Sequence, residues 1–79
     1  MMLREKVFKI ISQLMHTPFE EVNERSSPEN IAKWDSFQHI NLILALEEEF
    51  KIKFTEEEIF QLGDAGIILT GLQNKGVKV

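Results

Sequence analysis

The chain has 79 residues, 43% of them hydrophobic and 28% charged, no cysteine, and a formal net charge of −4. That length predicts one domain with a total stability of roughly 4–12 kcal/mol, and it excludes a deep cleft between subdomains. The missing cysteines exclude a disulfide framework and thiolate metal sites, and the acid excess disfavours nucleic acid and anionic membranes as partners.

Leu3, Val7, Ile10, Ile11 and Leu14 share one helical stripe, while Arg4, Glu5, Lys6 and Lys9 fall elsewhere. A first helix is predicted over residues 2–15, ending before Thr17-Pro18. No secretory apolar region precedes it and no apolar run reaches the ~20 residues of a membrane span, so a cytoplasmic location is expected.

Residues 17–34 read as a long connection of short turns. Thr17-Pro18-Phe19-Glu20 matches a capping box with proline at the first helical position, and Ser27-Pro28-Glu29-Asn30 offers a similar start. Phe19, Val22 and Ile31 are expected to point inward.

The strongest pattern runs from Ser36 to Phe50, where Phe37, Ile40, Ile43, Leu44, Leu46 and Phe50 recur every three or four residues without Gly or Pro. Asp35 is suited to cap this helix, with Gln38 at the reciprocal capping-box position. Phe50-Lys51-Ile52-Lys53-Phe54 alternates like a strand, but it has no second strand to pair with. It is therefore read as an extended connection that inserts Ile52 and Phe54 into the core. Thr55 and Glu58 form a capping box for a short third helix through about Leu62. Gly63-Asp64 restarts the chain, and Ile67, Ile68 and Leu72 define a last helix weakened by Gly66 and Gly71, at about 1 kcal/mol each relative to alanine. The prediction is an all-α fold, a small four-helix bundle of three main helices and a short third one. Leu46, Phe50, Ile52, Phe54, Ile59, Phe60, Leu62, Ile67 and Ile68 are assigned to its core. Part of that core could open to receive an apolar chain.

Ser36 directly follows an acid at the start of the best-specified helix. A helix N-terminus offers free backbone N–H groups and the positive end of the dipole, which suit a phosphate. The same residues can equally do no more than begin a helix. Asp35, Ser36 and His39 also contain the residue types of a hydrolase triad, and His39 can approach Ser36 across one turn. No Gly-x-Ser-x-Gly elbow or oxyanion loop accompanies them. His39 is accordingly read as a surface residue and His16 as a helix-end residue complementing the dipole. Two distant histidines give no metal site.

The stretch from Trp34-Asp35-Ser36 through Leu46-Glu47-Glu48-Glu49-Phe50, followed by Ile52, Phe54 and Glu56-Glu57-Glu58-Ile59, resembles the acyl carrier protein family. That family has Asp-Ser-Leu at the start of its second helix and a Leu-Glu-Glu-Glu-Phe type ending. The resemblance covers most of the chain and implies a carrier that is not itself an enzyme. It implies 4′-phosphopantetheine on Ser36, attached from coenzyme A by a phosphopantetheinyl transferase with Mg²⁺, and acyl groups held on the arm as thioesters. Asp35 would assist docking of the transferase. Phe37 stands where the family usually has Leu or Met, and Gln38 and Asn41 replace frequent acids. These departures point toward a specialised carrier rather than the housekeeping one, and the cargo expected from the resemblance is that of fatty-acid, polyketide or other specialised acyl biosynthesis.

From Asp35 to Asp64 the chain carries eight acids and two lysines, a net of −6. This segment suggests basic docking surfaces on acyl-activating, acyl-transferring or synthase enzymes, although the acids can also be an ordinary solvated face. Candidate docking residues are Phe37, Gln38, Ile40, Asn41, Glu47, Glu48 and Glu57, on a chain expected to be monomeric. Two alternatives stay open: an aminoacyl or peptidyl carrier, and a cofactor-free acidic adaptor for a basic partner.

Overall fold

A computed structural model describes residues 2–78, and among them every regular element is helical. Helix α1 spans Leu3–Met15, a one-turn 3-10 helix spans Phe19–Glu21, α2 spans Ser36–Phe50, α3 spans Glu56–Gln61 and α4 spans Ala65–Asn74. The predicted bundle of three main helices and a short third one is the architecture observed. The apolar stripes of α1, α2 and α4 meet in a core built on Val7, Ile11, Met15, Leu42, Ile43, Leu46, Ile68 and Leu72. α1 packs chiefly against α2 and less extensively against α4.

Two helices end on non-glycine residues in the left-handed region, His16 at φ 52° and Lys51 at φ 57°. His16 thus closes α1, its N–H donating to the Ser12 carbonyl. Residues 52–54 belong to no helix or strand, and Phe54 is buried with Ile52 packed at the core's edge.

The connection from residue 17 to 34 is tied down by hydrogen bonds rather than by helix. Val22, Ile31 and Trp34 anchor it in the core. The Ser26 and Glu24 carbonyls accept from the Ala65 and Gly66 N–H groups at 2.9 and 2.8 Å, satisfying donors that the start of α4 would otherwise leave open. The Ser27–Asn30 start does not propagate, because Ser27 Oγ and Asn30 Oδ1 close local turns instead.

Several local expectations are corrected. The Thr17–Glu20 capping box is absent: Thr17 Oγ1 donates to the Met15 carbonyl, and the 3-10 turn has no side-chain cap. A single turn leaves Phe19 exposed rather than inward. Gln38 does not complete a capping box with Asp35, because its amide donates to the Leu14 carbonyl at 2.9 Å and ties α2 to the end of α1. Phe60, Ile67 and Leu44 share apolar character with the core but face away from it on their helices.

Candidate functional site

Asp35 and Ser36 open α2. The Asp35 carboxylate accepts the Gln38 N–H at 2.8 Å, and its backbone carbonyl accepts the His39 N–H at 2.8 Å. The N–H groups of Ser36 and Phe37 have no protein acceptor among the described residues, and both side chains are exposed. Ser36 therefore presents its hydroxyl beside two open donors, at the positive end of a 15-residue helix.

An open groove of about 540 Å³ begins at that hydroxyl. Asp35, Ser36, His39 and Ile40 of α2 form one wall, Phe60, Leu62 and Gly63 the other, and Pro28 an edge. A second groove of similar volume lies between α1 and α2 on residues such as Ile10, Ala45 and Glu48, away from Ser36. A phosphodiester on Ser36 fits the open N–H groups, and an uncharged arm fits the largely apolar groove.

His39 is a structural tie, not the surface residue expected. Its Nδ1 accepts from Trp34 Nε1–H at 3.0 Å, and its Nε2–H donates to the Ile59 carbonyl at 2.9 Å. An indole can only donate and a carbonyl only accept, so these partners fix the tautomer. The His39 and Trp34 rings also stack, with centroids 6.1 Å apart and planes inclined by 21°. With both ring nitrogens engaged, His39 has none free to take a proton from Ser36. The triad fails on geometry.

The other candidate docking residues are scattered. Phe37, Ile40 and Glu48 are exposed on α2, and Glu57 is exposed on α3. Gln38 and Asn41 are half-buried, the Asn41 amide donating to Gln38 Oε1 at 2.9 Å. Glu47 turns back on its own chain and accepts the Phe54 N–H at 2.7 Å. Glu58 completes the Thr55 capping box and pairs with Lys75 at 2.7 Å. The Lys75 ammonium and the capping hydrogen bond hold the Glu58 carboxyl below its ordinary 4.5. Sequence reasoning missed Leu44 and Phe60 as exposed residues of this region. It also missed the Trp34–His39 pair, whose five-residue spacing across a helix start gives no periodic signal.

Ser36 is thus an exposed serine on a capped helix of a small helical bundle, beside a largely apolar groove. No family model matches the chain. Curated relatives do. It is 32% identical over 75 residues to the acyl carrier protein of Chlamydia caviae, covering 95% of this chain and 97% of that one. It is 31% identical over 77 residues to the acyl carrier protein of Buchnera aphidicola from Acyrthosiphon pisum, covering 96% and 95%. The acyl carrier protein of Buchnera aphidicola from Schizaphis graminum is 29% identical over 76 residues, covering 96% of both. The chain belongs to the acyl carrier protein family, whose members are carriers and not enzymes.

Proposed function

We propose that this chain carries acyl intermediates as thioesters on a 4′-phosphopantetheine arm attached to Ser36. The cargo belongs to fatty-acid, polyketide or other specialised acyl biosynthesis. The observation that carries this reading is the exposed Ser36 hydroxyl at the N-terminus of α2, between unpaired N–H groups and an apolar groove, in a chain of this family. In attachment the Ser36 oxygen bonds the phosphorus next to the pantetheine arm of coenzyme A, the pyrophosphate P–O bond breaks, the adenosine bisphosphate half leaves, and the serine proton passes to solvent. The Ser36 and Phe37 N–H groups and the α2 dipole favour the resulting negative charge. The arm supplies a thiol, and the chain itself contains none.

Asp35 holds the first turn of α2 open toward solvent and adds a carboxylate beside the serine for a transferase and its metal to meet. The exposed acids Glu48 and Glu57, with net charge −4, favour encounter with basic enzyme surfaces. Weak, rapidly reversible docking is what a carrier passed between enzymes requires. Intact mass before and after incubation with coenzyme A, Mg²⁺ and a broad-specificity phosphopantetheinyl transferase tests the proposal. One added phosphopantetheine, lost in Ser36→Ala, is expected. A folded wild type that gains nothing refutes it.

A further inference from the structure

We infer that His39 is a positioning residue for the modification of Ser36: with Trp34 it clamps the first turn of α2, from which the serine oxygen is presented. The inference rests on the carrier reading. The Ser36 side chain is exposed and makes no hydrogen bond among the described residues, so nothing at its own end orients it. Its placement is set by the backbone from which it springs. In that turn the Ser36 and Phe37 N–H groups have no protein acceptor among the described residues. Asp35 holds only the Gln38 N–H with its carboxylate and the His39 N–H with its carbonyl.

The Trp34–His39 pair closes over this stretch. Trp34 immediately precedes the cap, and its indole N–H donates to His39 Nδ1 at 3.0 Å, bracketing residues 35–38 between two stacked rings. One end is anchored in the core: Trp34 is 1% exposed, and its backbone N–H donates to the Ile31 carbonyl at 3.1 Å. The other end is braced against α3, where His39 Nε2–H donates to the Ile59 carbonyl at 2.9 Å. Neutral imidazole suits this place because it accepts at one nitrogen and donates at the other. Neither bond belongs to the helical ladder or to the Asp35 cap, so the pair adds constraint at Ser36 beyond what forming α2 requires. Constraint matters for this reaction. The serine oxygen must reach phosphorus in line with the departing oxygen, and a misplacement of about 1 Å can cost on the order of 10²-fold in rate. With both ring nitrogens engaged, His39 takes no proton and acts only through the backbone it holds.

Transfer of phosphopantetheine to the full-length chain by a broad-specificity transferase is measured for wild type, His39→Leu, His39→Gln, Trp34→Phe, the His39→Leu/Trp34→Phe double variant and Ile11→Ala. Leucine keeps bulk and loses both bonds, whereas glutamine keeps an acceptor and a donor. Ile11→Ala hollows the core on α1 and controls for lost stability alone. Assays are run at a temperature where circular dichroism shows every variant folded. His39→Leu and Trp34→Phe are each expected to lose about tenfold or more in kcat, with KM within about twofold because the exposed side chains around Ser36 are kept. The double variant should be no slower than the slower single one, since both break the same clamp. His39→Gln should recover most of the loss, and Ile11→Ala should match wild type. A second readout needs no arm. Trp34 is the only tryptophan, so its indole N–H gives a signal of its own in a proton–nitrogen correlation spectrum. That signal should move in His39→Leu and keep its place in Ile11→Ala. A kcat for His39→Leu within about threefold of wild type overturns the inference and leaves the carrier reading standing. An equal loss in Ile11→Ala does the same, because the effect is then one of stability. Folded wild type that accepts no arm overturns both.

Discussion

Replacing His39 by alanine removes the tie between the long connection, α2 and α3, and its magnitude follows from the contacts. Trp34 is 1% exposed, so its indole N–H loses its acceptor in a place water does not reach, a loss of about 1–3 kcal/mol. The bond to the Ile59 carbonyl contributes about 0.5–1.5 kcal/mol, and the ring contact a similar amount. The sum, about 2–4 kcal/mol after overlap, is a large part of the roughly 4–12 kcal/mol available to such a chain. Urea unfolding followed by circular dichroism is the assay. At an m-value near ~1 kcal/mol/M the midpoint should fall by about 2 M or more. Trp34→Phe supplies the control, because it deletes the donor while keeping a large ring. In that background His39→Ala should be milder by about 1–2 kcal/mol. A midpoint shift under about 0.5 M, or strict additivity of the two substitutions, would refute the tie.

Lys51 adopts a left-handed conformation that glycine enters without strain, so Lys51→Gly should stabilise the chain by about 0.5–1 kcal/mol, read as a higher thermal midpoint. Gly66→Ala and Gly71→Ala should differ although each adds the same methyl to α4. At Gly66 the new carbon meets the Glu24 carbonyl oxygen at 3.1 Å, a backbone atom already accepting the Gly66 N–H, so the variant should melt lower. At Gly71 it meets the movable end of Leu62 at 3.0 Å, and the helical gain of about 1 kcal/mol offsets most of the crowding. Glu58 is held below its ordinary 4.5 by Lys75 and the Thr55 cap, so its contribution is complete above that pH and is lost as pH falls through the lowered value. Glu58→Gln should therefore flatten the loss of stability with acid below about 4.5; an unchanged acid limb in equilibrium unfolding contradicts the pairing.

The elements were legible wherever one local pattern decided them. Asp35 and Thr55 cap the helices that follow them because their oxygens can reach a backbone donor three residues on, whatever else the chain does. Periodicity alone located α1 and α2. It could not tell which apolar residues lie inside, because α2 carries apolar residues around most of its circumference and only packing against α1 and α4 selects Leu42, Ile43 and Leu46 over Leu44. Phe60 was assigned to the core for its type, yet a six-residue helix has only one face to bury, and Ile59 and Leu62 take it. Gln38 illustrates the other failure: its partner, the Leu14 carbonyl, is 24 residues away, and no local rule anticipates that choice. Ser36 was visible from capping logic, whereas the groove beside it depends on how α3 sits against α2.

That dependence divides the labour within the fold. The start of α2 is fixed from three sides: by its Asp35 cap, by Gln38 on the end of α1, and by His39 on Trp34. Ser36 is therefore carried on a helix start tied at three points, although its own side chain is exposed. The opposite wall of the groove is built differently. α3 is only six residues long, and among the described residues its polar attachments beyond the adjoining turns are the Ile59 carbonyl on His39 and the Glu58 carboxylate on Lys75. An attachment group held rigidly and a groove wall held by two polar contacts can answer separately to a partner. A change at Lys75 should alter the groove and leave the presentation of Ser36 intact, a change at Asp35 should do the reverse, and a change at His39 should disturb both.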